Sequence, residues 1–99
     1  MSAYFENLHK VVATSATEVY NNDTGITRVV WLKNPNANSD TFYLGTSTVT
    51  APATADGTDG FELAPGEAVP VTFAEGGTLY AIANTLGTEK IHILSSIDV

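Results

Sequence analysis

Apolar residues in this chain recur with period two or in short runs bounded by Gly, Pro, Asn and Asp, and no window of helical length keeps a sustained apolar stripe. A buried helix face needs apolar residues at a period of about 3.6 over ten or more positions, whereas a half-buried strand needs only alternation over four to eight. The short runs here supply alternation. Val69, Val71 and Phe73 fall on one strand face, and residues 26–33 place Val29 and Trp31 on one side with Val30 and Leu32 on the other. The pattern predicts an all-β protein: a single antiparallel β-sandwich, Greek-key or jelly-roll-like, of about seven to eight short strands with a short N-terminal arm.

The expected strands cover residues 10–14 with 18–20, 26–33, 42–44, 69–73, 78–83 and 89–94. Asn21-Asn22-Asp23-Thr24-Gly25 reads as a hairpin turn and Glu75-Gly76-Gly77 as another, each joining strands expected to pair. Apolar residues on both faces of 26–33 imply a central strand or a second buried contact. Pro70 lacks a ladder donor and marks an edge or a bulge. Residues 46–60 are small and polar and form the longest loop. Residues 1–8 fit neither period and are expected as an arm, leaving 9–99 as the sandwich domain.

Ninety-nine residues suit one domain that buries roughly two-thirds of its unfolded surface. A net charge of −7, with Lys10, Arg28, Lys33 and Lys90 scattered along the sequence, disfavours nucleic acid and anionic membranes. Without cysteine there are no disulfides or thiolate metal sites to supplement the core. The N-terminal residues lack the basic start and apolar run of a signal peptide, so synthesis in the cytoplasm is expected.

Candidate chemistry is sparse. Gly45-Thr46-Ser47-Thr48-Val49 opens like a nucleophile elbow but ends in valine where that turn needs glycine, and it has no helix behind it. His9 and His92 would have to converge from opposite ends of the chain, and with a carboxylate, to approach a catalytic zinc set. No cofactor is expected. Calcium is the one ion the oxygen pattern invites, through Asp56-Gly57-Thr58-Asp59-Gly60 or through Asn34, Asn36, Asn38 and Asp40, neither of which follows the EF-hand register. Solvated turns account for both stretches. Tyr20, Tyr43, Tyr80 and Trp31 are expected in the core, the alternative being a sugar-stacking platform.

Residues 42–82 carry the skeleton Tyr43-Leu44-Gly45, Val49-Thr50, Gly60-Phe61-Glu62-Leu63-Ala64-Pro65-Gly66-Glu67 and Leu79-Tyr80-Ala81-Ile82. This order of strand, loop, Pro-Gly turn and closing strands resembles small structural proteins of tailed-phage virions, over residues 19–94. The loop between the "VT" and "GF" elements is longer here than in that pattern. The resemblance implies a non-enzymatic virion protein, made in the host cytoplasm. Its expected role is a capsid decoration or cement protein that binds and stabilises the major capsid lattice. Its partners would be the major capsid protein or other virion proteins and copies of itself, as a trimer. The expected partner-binding residues are Tyr4, Phe5 and Leu8 on the arm and Val49, Pro52, Asp56 and Asp59 on the loop. The alternatives are a tail or neck component and a carbohydrate- or receptor-binding β-sandwich module.

Overall fold

The computed structural model describes residues 3–51 and 59–98, with 3–6 and 96–98 described by their backbone. It contains eight strands: β1 (Ala3–Val11), β2 (Thr17–Asn21), β3 (Arg28–Lys33), β4 (Phe42–Gly45), β5 (Phe61–Leu63), β6 (Ala68–Phe73), β7 (Thr78–Ala83) and β8 (Lys90–Asp98). One sheet has the order β1-β8-β3-β6 and the other β2-β7-β4-β5, with every strand pair antiparallel. This is the sandwich expected from the alternation, in the double Greek-key order of a jelly roll.

The core lies between the sheets. Val30 and Leu32 of β3, Ile91 and Ile93 of β8, and Phe73 of β6 face Phe42 and Leu44 of β4, Leu63 of β5 and Ala81 and Ala83 of β7. Each fully buried aliphatic or aromatic side chain contributes about 1.5–3 kcal/mol relative to exposure. Polar groups in the interior are matched: Tyr20 Oη, on the second sheet, shares a 3.0 Å hydrogen bond with the buried Ser95 Oγ of the first, and its ring tilts against Phe73 at 4.9 Å.

Three expectations change. Residues 3–8 do not stand ahead of the sandwich as an arm but enter it as β1, from Ala3 opposite Asp98 to Val11 opposite Lys90. Backbone pairing with β8 holds this segment in the sheet, although Tyr4, Phe5 and Leu8 do not recur with period two. The other two changes concern hairpins. The turn after Asn21 joins β2 to β3, and the turn at Gly76-Gly77 joins β6 to β7, but in both cases the joined strands lie in different sheets. Each of these turns therefore crosses the sandwich.

Two buried asparagines hold such crossings. Asn34 Nδ2 donates to the carbonyls of Asp40 and Leu63, both at 2.9 Å, and its Oδ1 accepts from Asn38 Nδ2 at 2.8 Å. Asn22 Nδ2 reaches the carbonyls of Ile26, Phe73 and Ala74, while its Oδ1 accepts from Thr24 Oγ1 at 2.7 Å. A buried amide with all its groups engaged fixes several chain segments at once, because leaving any of them unpaired would cost about 1–3 kcal/mol.

Candidate interaction surfaces

Strand direction sorts the connections into two ends of the sandwich. One end gathers residues 12–16, 34–41, 64–67 and 84–89. The other gathers the start of β1, the end of β8, residues 22–27, the turn at 74–77 and the flanks of the 46–60 loop. The two segments expected to meet a partner, 1–8 and 46–60, thus begin from the same end. Beyond the Val30–Ser95 pair, β8 is paired with β1 alone, as a two-stranded ribbon through Tyr4–Ile97 and Ala3–Asp98.

The individual residues distribute unevenly. Tyr4 and Phe5 sit in this ribbon, opposite Ile97 and Ser96. Leu8 is half-buried and packs on the core. Val49, expected at a partner surface, is instead buried at 4% exposure. Its Cγ2 lies 2.9 Å and 2.6 Å from where a Cβ on Gly45 or Gly60 would stand, so the valine fills the space those glycines leave. Beside it Gly60 N donates to Thr50 O, and Thr50 Oγ1 donates to Asp59 Oδ1, each at 3.0 Å. Val49, Thr50, Asp59 and Gly60 therefore clasp the base of the loop. Pro52 and Asp56 lie outside the described residues.

In the 34–41 loop the side-chain oxygens of Asn34 and Asp40 are engaged by protein donors. The Asp40 carboxylate accepts from the amides of Thr41, Thr85 and Leu86 and from the Thr85 hydroxyl. Burial is the largest single influence on Asp40 and by itself would raise its pKa. The donors from Leu86, Thr85 and Thr41 together outweigh it and hold the carboxyl below its ordinary value of 3.8. Glu89 reaches over the same loop to accept from the amides of Ser39 and Asp40. The elbow-like segment is a simple turn, closed by Val49 N donating to Thr46 O.

The outer face of the first sheet was not legible as a site. On it β3 contributes Val29, Trp31 and Lys33, β8 contributes Lys90, His92 and Leu94, and β1 contributes Asn7, His9 and Val11, all exposed. Trp31, expected in the core, is 48% exposed and stands opposite Leu94 on one side and Pro70 on the other. Tyr20 and Tyr43 are buried as expected.

His9 and His92 do converge, as direct cross-strand neighbours with ring centroids 4.6 Å apart. Partial burial, and then the positive charge of His9, Lys90 and Lys33, keeps His92 below its ordinary pKa of 6.5. Those two lysines also oppose a divalent cation there, and no third His, Asp or Glu joins the pair among the described residues. A groove of about 510 Å³ runs along this face between Trp31, Leu94, Lys33 and the histidines.

The other side of the molecule differs in sign. Glu18 on β2 and Glu62 on β5 face outward from the second sheet around Tyr80, Ile82 and Tyr43. Burial, followed by Glu62, Asp40 and Asp59, raises the Tyr43 pKa above its ordinary 10.0, so the phenol stays neutral. Phe61, at the edge strand β5, is 63% exposed and borders a cleft of about 230 Å³ between the sheet edges, with Leu44, Val69, Val71 and Leu79.

The fold defines the chain as a single jelly-roll β-sandwich. No protein-family model matches its sequence, and a search of curated proteins finds no match. Among solved structures it is similar to a chain from the Bacillus endospore appendages, a family of disulfide-linked pili, with a TM-score of 0.58 and 14% identity. The superposition covers 96% of this chain and 83% of that one, and at this identity the likeness is one of fold.

Proposed function

We propose that this chain is a non-enzymatic structural protein of a virion, a decoration protein that binds the major capsid lattice through the end of the sandwich carrying β1, β8 and the 46–60 loop. The observation that carries the reading is this convergence. A rigid two-layer body presents a strand ribbon and the flanks of its longest loop side by side, the arrangement by which a small protein engages a large repeated surface through shape and strand edges.

A second reading is a tail or filament component. The fold-level similarity to a subunit of pili favours it, although this chain has no cysteine and would have to join its neighbours without disulfides. The decisive test mixes the purified protein with expanded capsids that lack it, sediments them and counts bound copies. Saturation at a fixed number per capsid is the expected result. Failure to co-sediment would reject decoration in favour of the tail or filament reading.

A further inference from the structure

We infer that the basic groove on the outer face of the first sheet receives the acidic β5 edge of a second copy, with Phe61 as the inserted side chain. The inference deepens the structural reading above by naming one partner and one contact, and it rests on that reading only for the expectation that the chain assembles.

Charge is distributed unevenly enough to matter. The chain carries −7 overall, yet the described side chains on the outer face of the first sheet include no carboxylate, while Lys33 and Lys90 and the two neighbouring histidines all project from it. At its centre Trp31 and Leu94 leave apolar surface in water, which a soluble domain retains when something covers it. The β5 edge is its complement. Phe61 is the most exposed of the large apolar side chains described, at 63%, and Asp59, Glu62 and Glu67 lie within a few residues of it on the same short element and its turns.

An aromatic ring entering a groove walled by an indole buries apolar area and gains edge-to-face contact, while the flanking carboxylates meet the lysines across the rim. Both surfaces exist on one molecule, at different places and with opposite charge. A contact between them is therefore heterologous: each copy offers a groove to one neighbour and an edge to another, and the assembly grows into a ring or an open filament rather than stopping at a two-fold dimer. Two identical grooves or two identical edges would repel each other.

Sedimentation velocity over a concentration series tests this, with circular dichroism melting to show that each variant is folded. Wild-type protein is expected to form oligomers that dissociate in about 1 M salt, where the screening length falls to about 3 Å. Phe61→Ser, at an exposed position, is expected to be folded and monomeric. Lys33→Glu with Lys90→Glu, and separately Glu62→Lys with Glu67→Lys, are each expected to be monomeric alone and to co-assemble when mixed, because one then presents two acidic surfaces and the other two basic ones.

A wild-type protein that stays monomeric up to millimolar concentration overturns the inference, as do charge variants that still self-associate or a mixture that stays monomeric. A monomer that nevertheless saturates capsids would sink this contact and leave lattice decoration standing. Protein that forms oligomers but ignores capsids would do the reverse.

Discussion

At the end of the sandwich where β3 finishes, Asn34, Asp40 and Glu89 take up backbone amides and carbonyls from three chain segments, and two of those three groups are carboxylates. At the opposite end Asn22 ties three carbonyls with neutral groups, and the Asp59 carboxylate accepts the Thr50 hydroxyl within the loop clasp. Both ends solve the same problem, how to carry strands from one sheet to the other without orphaning backbone groups. They differ in where the ordering is concentrated. One end is cross-linked by charge-assisted bonds, and the other is held by the neutral amide of Asn22 and by a clasp local to one loop.

The largest expected effect comes from breaking the cross-linked end. Asn34→Ala strands two buried carbonyls and the Asn38 amide, and urea denaturation should show a loss of about 2–4 kcal/mol. A loss below about 0.5 kcal/mol would mean that the latch is redundant and the contrast between the ends is false.

Acid titration sharpens the same contrast. A group whose folded pKa lies below its unfolded value binds fewer protons when folded, so it stabilises above the unfolded value and loses that contribution as pH falls through the folded one. For Asp40 the contribution is complete above about pH 3.8 and is lost below it. Asp40→Asn should lower the urea midpoint near neutral pH and flatten the decline of stability between about pH 4 and pH 2, relative to wild type. An unchanged slope would assign the acid sensitivity to other carboxylates.

Glycine substitutions at the two turns give a smaller difference. Gly66 has φ +90° and a Cβ there would meet Asn36 Oδ1 at 2.5 Å, whereas Gly76 has φ +79° with open space around it. Gly76→Ala should cost about 1 kcal/mol from backbone strain alone, and Gly66→Ala more than that, by thermal or urea unfolding. Equal costs would show that Asn36 yields freely. The smallest stability effect is expected at the end proposed to meet the capsid: Thr48→Glu, exposed beside the loop clasp, should change stability by less than about 0.5 kcal/mol while reducing the number of copies bound per capsid. Unaltered binding would move the contact away from the loop.

Much of the second half of the chain was readable. The strands at 42–44, 69–73 and 78–83 are present, and Pro70 lies on an edge strand, because alternation and turn chemistry act locally. What failed depended on distance. The residues at 22–25 and 75–77 state that the chain turns but carry no information about which sheet the next strand joins. β1 was missed as a strand because Glu6 and Lys10 stand opposite Ser95 and Ile91, where apolar residues would have completed the alternation. The His9–His92 pair was invisible for the same reason, since it exists only through β1–β8 pairing. The signal that was available lay in β3, whose apolar residues on both faces pointed to a second contact. Val30 and Leu32 found the core, and Val29 and Trp31 remain at the surface.

The clasp formed by Val49, Thr50, Asp59 and Gly60 bears on how a chain of this kind changes over generations. It closes the loop at its base, so the sheet senses the pinned flanks rather than the number of residues between them. Lengthening a closed flexible loop is cheap, with each doubling costing only about 0.6 kcal/mol in closure entropy. Insertions between the clasp residues are thus expected to leave the sandwich intact so long as Val49, Thr50, Asp59 and Gly60 keep their contacts, which separates inheritance of the scaffold from the length of what the clasp closes.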